Sequence, residues 1–438
     1  MIDLSIAKIA EWTQGSYTAD GFIQGVKVDT RFISTGDLYV CLHGERVDGH
    51  DFAQQAIDNG AVALLVDRKL NLDIPQILVS DSLEGLRMFA RAYRETLPAF
   101  FIGITGSNGK TSTKDILYSV LSRVGETIAT YKNQNTEIGT YLNLFRMDTN
   151  TKYGVFEMGL DYDGDVDLMA EVVHPDAALV MSLAPAHMAN FRDIHHIAEQ
   201  KLRIFAHGIN NDYAFYQGDF DEYRKLDEGW HTFGYDKDNE FVVSEVASNN
   251  NGIQFKVNDM NYSCNLLGGH QASNCAGIIA LLTKMGIAQN VIREGLNHVA
   301  LTSLRTELVN KEASLVLMDA YKSNPISAKY ALDLLTTYDY DGKRIAVLSD
   351  MVELGDDSVA LHADMLNHLK TLNLSHVYLL GPEFRKASDM VTLDLERFTF
   401  FSTFEALHDA VVPLYKEHQM ILIKGSRFYS LERLMKEV

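Results

Sequence analysis

The segment FFIGITGSNGKT at residues 100–111 decides the fold. Residues 100–104 form a short apolar run, which is typical of a buried strand. A glycine-rich turn follows, and Lys110 and Thr111 then open a stretch whose apolar residues recur at helical spacing. A strand, a glycine turn and a helix in this order predict a phosphate-binding loop, because glycines let backbone N–H groups and the helix N-terminus approach an anion.

The loop also predicts roles for its side chains. Lys110 would reach the outer phosphates of a nucleotide, and Thr111 would offer its hydroxyl to Mg²⁺. The strict eight-residue pattern of such loops would place its first glycine at Ile104, so an ordinary glycine turn between strand and helix is the alternative. A phosphate loop alone does not distinguish a kinase, a motor or a ligase.

Short apolar strands that end in polar turns recur on the C-terminal side of the loop. The strand around Val155 runs into Glu157, and the apolar run at 177–181 is followed by His187. Strands that alternate with helices predict a mostly parallel sheet with helices on both faces. Ligands of such sheets bind beyond the carboxyl ends of the strands, which is where Glu157 and His187 fall.

Changes of pattern divide the 438 residues into three predicted α/β domains. The first, at 1–97, mixes short strands with helices. The central domain, at 98–301, carries the phosphate loop on a mostly parallel sheet. The third, at 302–438, begins a second alternation of strands and helices, in which one strand ends at Asp319 and another runs into Lys424.

Composition excludes several classes of protein. Hydrophobic residues make up 46% and charged residues 22%, as in folded soluble proteins. The formal net charge of −20 argues against non-specific binding to nucleic acid or anionic membranes, although locally gathered positive groups could still bind a phosphorylated small molecule. No apolar run reaches the ~20 residues that span a bilayer, and the N-terminus lacks the order of a signal peptide.

The widely spaced Cys41, Cys264 and Cys275 predict neither a disulfide framework nor a zinc site and fit a reducing cytoplasm.

Lys201 lies near the middle of the apolar stripe of a helix predicted within residues 190–205. A buried ammonium is costly, so the surroundings should lower the pKa of Lys201 and favour the neutral amine. A neutral amine can capture CO₂ as a carbamate, an anion suited to Mg²⁺. Snorkelling of the amine to solvent and an ion pair are the alternatives.

Oxygen ligands suit Mg²⁺, so Glu157 is a candidate metal ligand. His187 is less typical for this metal, and a structural histidine is the alternative. The alternating aspartates at 161–167 resemble a calcium loop but lack its closing glutamate, so they predict a solvated loop or the start of a helix.

Charged groups near the start of the third domain could approach the phosphate loop. Arg305, Asp319 and Lys322 lie there. Cations that approach from another domain can stabilise charge on a transferring phosphoryl group. Salt-bridged surface residues are the alternative.

Further motifs are spread along the whole chain. They are DTR at 29–31, GDLYV at 36–40, GERVDGHDF at 44–52, TGSNGKT at 105–111, NTEIG at 135–139, EMG at 157–159, AH at 186–187 with Phe191, Lys201, RTE at 305–307, DAY at 319–321 with NP at 324–325, DMVELG at 350–355 and KGS at 424–426. With these motifs the chain resembles the Mur ligases, the ATP-dependent amide-forming enzymes of peptidoglycan precursor synthesis. The EMG motif and the ELG stretch at 353–355 favour the dipeptide-adding branch over the branch that adds the third amino acid.

The resemblance implies a fold and a reaction. It implies a small α/β domain for the UDP end of the substrate, a central P-loop ATPase domain and a C-terminal Rossmann-like domain that closes over the site. The implied reaction joins D-alanyl-D-alanine to UDP-N-acetylmuramoyl-tripeptide through an acyl phosphate, with ADP and phosphate as products. A Mur ligase that adds an amino acid to the UDP-linked dipeptide, a P-loop small-molecule kinase and a non-catalytic nucleotide-binding protein are the alternatives. We expect a cytoplasmic monomer without nucleic-acid partners or a transmembrane segment.

The resemblance also implies which residues form the site. ATP contacts fall on Thr105, Gly106, Ser107, Asn108, Gly109, Lys110, Thr111, Ser112, Asn274, Arg305 and Asp319. The implied ligands of two Mg²⁺ ions are Thr111, Glu157, His187 and a carbamylated Lys201. The catalytic set is Lys110, Glu157, His187 and Lys201. Contacts to the UDP-linked peptide fall on Thr30, Arg31, Asp48, Gly49, His50, Asn135, Glu137 and Asn324.

Three positions depart from the family pattern. Lys322 and Gln271 each stand where the family usually has asparagine, and Thr136 replaces the second residue of an asparagine pair. These departures concern contacts to adenine and product. They leave the phosphate loop and the implied metal ligands unchanged.

Overall fold

A computed structural model describes residues 3–185, 188–302 and 306–436. His187 and Arg305, two predicted site residues, lie outside the described residues. The described chain has the predicted three-domain α/β architecture, built on parallel-rich sheets. Among the described residues, no helix combines the length and apolar character needed to cross a lipid bilayer.

The first domain contains a five-stranded sheet, a separate two-stranded sheet and three helices. Its strands are β1 (Leu4–Ser5), β2 (Ser16–Tyr17), β3 (Phe22–Ile23), β4 (Gly25–Lys27), β5 (Asp37–Val40), β6 (Ala63–Val66) and β7 (Gln76–Leu78), and its helices are α1 (Ile6–Trp12), α2 (Ala53–Asp58) and α3 (Ser82–Glu95). The five-stranded sheet runs β2-β7-β6-β5-β4 and is parallel except for the β2–β7 pair, while β1 and β3 form the antiparallel two-stranded sheet. The ends of β5 and β6 therefore lie side by side.

The central domain is built on one long sheet. Its strands are β8 (Phe100–Thr105), β9 (Thr127–Ala129), β10 (Tyr153–Glu157), β11 (Ala177–Val180), β12 (Ala214–Gln217), β13 (His231–Gly234), β14 (Phe241–Asn249), β15 (Gly252–Val257) and β16 (Met260–Cys264). The order is β16-β15-β14-β13-β12-β11-β8-β10-β9, parallel from β9 to β14 and antiparallel beyond. Ile104 of β8 pairs with both Glu157 of β10 and Leu179 of β11, so the turns after these strands begin at one edge.

Helices cover this sheet, as the alternating sequence predicts. They are α4 (Lys110–Leu121), α5 (Glu137–Leu144), α6 (Asp165–Val173), α7 (Ile194–Leu202), α8 (Asp221–Arg224), α9 (Gln271–Lys284) and α10 (Gln289–Leu296). The aspartates at 161–167 lead into α6, and the Asp165 carboxylate accepts the backbone N–H groups of Asp161 and Tyr162. This confirms the predicted helix start.

The third domain repeats the parallel pattern. Its strands are β17 (Glu307–Lys311), β18 (Ser314–Asp319), β19 (Lys343–Ser349), β20 (His376–Leu380), β21 (Phe398–Phe401) and β22 (Gln419–Lys424), and its helices are α11 (Pro325–Thr337), α12 (Ser358–Thr371), α13 (Pro382–Ser388) and α14 (Phe404–Val411). The order is β17-β18-β22-β19-β20-β21, and all pairs are parallel except β17–β18. Asp319 and Lys424 end neighbouring strands in register.

The first and central domains share one continuous apolar core, whereas the third domain has cores of its own. Helix α3 makes the connection, since Phe89 packs on Phe145 at 4.5 Å between ring centroids and Arg87 pairs with Glu137 at 2.6 Å. Burial of aromatic side chains holds the first domain on the central one. The domain limits at 97/98 and 301/302 fall between regular elements and stay a prediction.

Close packing of α10 on α4 gives a test of the central core. A Cβ atom added at Gly295 would lie 2.7 Å from the Val120 Cα atom, which is backbone and cannot rotate away. We expect Gly295→Ala to destabilise the protein by about 1–3 kcal/mol through overpacking, with a lower Tm in a thermal melt. Gly269→Ala is the control, because its Cβ would meet Val246 at an ordinary 3.6 Å. Equal Tm values for the two variants would contradict this packing.

Candidate active site

A cleft of about 400 Å³ lies where the carboxyl ends of the central strands face the third domain. The central domain contributes the phosphate loop and the residues after β10 and β11. The third domain contributes the residues after β18 and β22. A cleft of this size is within the range of small-molecule sites, and its position at the strand ends is the one predicted for a parallel sheet.

The glycine-rich turn has the geometry of an anion-binding loop. Gly106 and Gly109 have φ values of +148° and +84°, which other residues adopt only with strain. A side chain at Gly106 would also collide with Met181, since its Cβ atom would lie 2.7 Å from the Met181 Cβ atom. Ser182 fixes the turn by accepting the Ser107 N–H at 2.7 Å and the Asn108 N–H at 3.2 Å.

Helix α4 begins directly after this turn, and no side chain caps its N-terminus. Its first N–H groups therefore lack partners within the helix, and the positive end of the helix dipole faces the turn. Lys110 folds back over the loop, and its Nζ donates to the Gly106 carbonyl oxygen at 2.6 Å. The arrangement gathers positive charge on a chain whose net charge is −20.

Thr111 and Glu157 meet behind the loop. The Thr111 hydroxyl donates to one carboxylate oxygen of Glu157 at 2.8 Å, and the Asn135 amide donates to the other at 2.8 Å. Only 1% of Glu157 is exposed, and both of these side-chain donors are neutral. Because a buried carboxylate is costly without a cation, and because hydroxyl and carboxylate oxygens suit Mg²⁺, this pair fits a magnesium ion.

Lys201 extends from α7 toward the same region and is 3% exposed. Burial lowers the pKa of Lys201 well below its ordinary value, and the positive charges of Lys110 and Lys322 nearby lower it further. The helical pattern predicted this buried position. The surroundings favour the neutral amine.

The third domain brings an ion pair to the cleft. The buried Lys424 ammonium lies 3.1 Å from the Asp319 carboxylate and donates to the Lys322 carbonyl oxygen. The Lys322 ammonium lies 4.0 Å from the Glu353 carboxylate. Asp319 is thus held in place at the end of β18, where it lines the cleft from the third domain.

A ring stack between the central and third domains also lines the cleft. His270, which precedes α9, stacks on Tyr330 of α11 at 4.6 Å and 10° between ring planes. Burial lowers the pKa of His270 to about 4, so the ring is neutral near pH 7. The departure at Gln271 has a local consequence, because its side chain accepts the Asn274 amide at 2.8 Å and thereby orients Asn274 beside Gly109.

The loop also contacts the third domain directly. The Asn324 side chain, at the N-cap of α11, donates to the Asn108 side chain at 2.8 Å. Asn324 is buried, so it lies against the loop rather than on an open surface. The two domains therefore meet at the predicted phosphate site.

The cleft brings together much of the predicted set. The predicted residues that line it are Gly106, Ser107, Asn108, Gly109, Lys110, Thr111, Ser112, Asn135, Glu157, Lys201, Asn274 and Asp319. Thr105 ends β8 beneath the loop, and its hydroxyl donates to the Met158 carbonyl oxygen. Glu137 instead pairs with Arg87 between the first two domains.

Predicted substrate residues of the first domain are not among the residues that line this cleft. They are Thr30, Arg31, Asp48, Gly49 and His50. The His50 ring is fully buried between Asp48 and Asp67, so in this conformation it does not face an open surface. Their role in binding stays a prediction.

Sequence reasoning did not assign His270, Tyr330 or Lys424 to the site. Lys424 could have been found, because it follows an apolar strand in the same way as Asp319. Tyr330 lies inside an amphipathic helix without any motif, so its position against His270 carries no signal in the sequence.

Comparisons with known proteins agree along the whole chain. Residues 104–282 match the Mur ligase middle domain, 304–427 match the Mur ligase, glutamate ligase domain, and 22–94 match the Mur ligase family, catalytic domain. A Bacillus subtilis protein named UDP-N-acetylmuramoyl-tripeptide–D-alanyl-D-alanine ligase is 31% identical, over 100% of this chain and 99% of that protein. The chain belongs to the Mur ligase family. The resemblance of its motifs is thereby confirmed.

Solved structures of other Mur ligases share the fold. MurF from Acinetobacter baumannii matches with a TM-score of 0.91 and 26% identity, covering 99% of this chain and 98% of that one. MurF ligase from Thermotoga maritima in complex with ADP matches with a TM-score of 0.81 and 26% identity, over 94% and 96% of the two chains. The three-domain α/β prediction is confirmed by these similarities.

Proposed function

We propose that this Mur ligase uses ATP to join D-alanyl-D-alanine to UDP-N-acetylmuramoyl-tripeptide by an amide bond. One observation carries the proposal: the phosphate loop, the buried Thr111–Glu157 pair and the buried amine of Lys201 meet in a single cleft between two domains. The B. subtilis relative that bears the name of this reaction aligns along the full chain.

The chemistry explains why a ligase needs a phosphate loop. A carboxylate is a poor electrophile, because its leaving group would be oxide. Transfer of the γ-phosphoryl group from ATP to a carboxylate oxygen releases ADP and gives an acyl phosphate. The amine nitrogen then attacks the acyl carbon and loses a proton, and the C–O bond to phosphate breaks. Lys110 and the loop N–H groups would neutralise the charge on the moving phosphoryl group.

Thr111 and Glu157 would hold one Mg²⁺, and Lys201 would serve a second together with His187, which lies outside the described residues. When bound, Mg²⁺ adds positive charge beside the phosphates. The neutral Lys201 amine would form an N–C bond to CO₂ and release a proton, which converts it into an anionic carbamate ligand. The low pKa of Lys201 supports this step because it supplies the neutral amine.

Contacts between the central and third domains would protect the intermediate. The Asn108–Asn324 hydrogen bond and the His270–Tyr330 stack both bridge these domains. A closed cleft excludes water, which would otherwise hydrolyse the acyl phosphate. Asp319 would contact the nucleotide from the third domain, and Arg305, outside the described residues, is proposed for the same role.

The first domain would hold the UDP end of the substrate through the predicted residues Thr30, Arg31 and the turn at 48–50. We also propose that the protein acts as a monomer in the cytoplasm, where its nucleotide-linked substrate is made.

A phosphate-release assay tests the proposal. We expect release with ATP, Mg²⁺ and UDP-N-acetylmuramoyl-tripeptide to depend on added D-alanyl-D-alanine, with a new amide in the product. The control replaces the tripeptide substrate with the UDP-linked dipeptide, which should be a poor acceptor. ADP formation without any amine, together with a stable phosphorylated product, would instead indicate a kinase. Absence of turnover with all substrates present would indicate a non-catalytic protein.

A further inference from the structure

The first domain contains a cluster of imidazole and carboxylate groups outside the active-site cleft. His43 follows β5, His50 lies in the short 3-10 helix Gly49–Phe52, and Asp67 follows β6. Because β5 and β6 are parallel neighbours, their carboxyl ends bring these three residues together. They are 7 to 24 positions apart in the sequence and match no metal-binding motif.

The cluster has the dimensions of a metal site. The His43 Nε2 atom lies 2.7 Å from one carboxylate oxygen of Asp67, and the His50 Nε2 atom lies 3.3 Å from the other. One potential ligand atom from each of the three residues lies within 4.8 Å of the others. Ligand atoms around a tetrahedral zinc ion, at about 2.0–2.2 Å from the metal, are separated by about 3.3–3.6 Å. Small side-chain adjustments would therefore suffice.

A further carboxylate orients the buried histidine. The His50 Nδ1 atom lies 2.6 Å from an Asp48 oxygen that also accepts the His50 backbone N–H at 2.9 Å. With the proton on Nδ1, the Nε2 lone pair accepts the Asp67 backbone N–H at 3.3 Å, a long hydrogen bond that a metal ion would have to replace. Histidine ligands of metals are commonly held in this way by a carboxylate on the far nitrogen.

Charge and access also fit a cation. Arg68 binds the second oxygen of Asp48 at 2.7 Å, so Asp48 is already paired. Asp67 lies between two imidazoles and is more distant from Arg68, at 3.9 Å. The His43 side chain is 52% exposed, which provides an entry path and room for a water as fourth ligand.

We propose that His43, His50 and Asp67 bind a divalent transition-metal ion of the zinc class, with Asp48 as the residue that orients His50. Two imidazole ligands favour such a metal over Mg²⁺ or Ca²⁺, which prefer oxygen ligands. The ion would tie the 43–50 turn to the end of β6. It is separate from the magnesium expected in the cleft and serves to fix this turn of the first domain.

Zinc binding to the full-length protein tests the proposal. The protein is treated with a chelator, dialysed and titrated with ZnCl₂ in a calorimeter, and Co²⁺ is added in parallel to record visible absorption of a tetrahedral site. We expect about one equivalent of zinc to bind, and His43→Asn to weaken this binding at least about 10-fold. Because His43 is half exposed, the variant should fold, which a thermal melt checks.

His418→Asn is the matched control. His418 is also an exposed histidine paired with a carboxylate, 2.5 Å from Asp341, but it belongs to the third domain and is not part of the cluster. This variant should bind zinc as the unaltered protein does, and so should Glu157→Gln, which alters the active-site cleft. Equal zinc affinity for His43→Asn and the unaltered protein, no zinc uptake, or loss of zinc binding in Glu157→Gln would each overturn the proposal.

Discussion

Lys110→Ala is expected to lower ATP-dependent phosphate release by about 10³-fold, because a positive charge beside the transferring phosphoryl group is lost in a partly closed cleft. The Lys110 ammonium lies over the loop, 2.6 Å from the Gly106 carbonyl oxygen, at the N-terminus of α4. A water molecule in place of the ammonium would be a poor substitute, because water carries no net positive charge. The measurement is phosphate release with all substrates present.

The control for this variant is Lys284→Ala. Lys284 is an exposed lysine in the last turn of α9 and is far from the loop in the sequence. Its loss should leave turnover nearly unchanged, and both variants should melt close to the unaltered protein. Near-normal turnover in Lys110→Ala would refute the assignment of the phosphate loop.

The sequence predicted the central site because its signals are local. A buried strand, the turn that follows and the first residues of α4 are contiguous, so their chemistry can be read from a single segment. Glu157 could be predicted for the same reason, because it ends β10, the strand that lies beside β8 in the parallel sheet. The buried position of Lys201 follows from the helical period alone.

The features of the site that the sequence did not predict depend on contacts between distant segments. The stack of His270 on Tyr330 and the bond from Asn324 to Asn108 join separate domains, and neither residue pair has a spacing that periodicity could reveal. Local patterns only divided the chain into three domains. The resemblance along the whole chain supplied the order in which these domains occur.

The proposed zinc cluster shows the same limit. Cysteine spacing predicted no zinc site, and no described cysteine takes part in the cluster. His43 and Asp67 come together only because β5 and β6 are neighbours in the folded sheet. The family resemblance predicts a substrate role for the turn at 48–50, whereas the buried His50 ring is directed toward Asp67.

Lys201→Ala is expected to lower turnover by about 10²-fold or more, because the proposed anionic ligand is lost from the site. An ordinary lysine has a pKa of about 10.4 and is almost wholly charged near pH 7, so it reacts poorly with CO₂. Burial lowers the pKa of Lys201, and the neutral amine that results is the form that captures CO₂. Removal of CO₂ and bicarbonate from the buffer should therefore slow the unaltered enzyme.

Chemical rescue separates a carbamate from a merely structural lysine. Lys201→Ala leaves a cavity beside the cleft, and added acetate or formate could place a carboxylate there, so activity should be partly restored. Lys201→Met also lacks the amine but fills the space, so the same acids should not rescue it. Glu199→Ala, on the exposed side of α7, should be active without added acid. Full activity of Lys201→Ala without bicarbonate dependence, or equal rescue of the alanine and methionine variants, would contradict the carbamate.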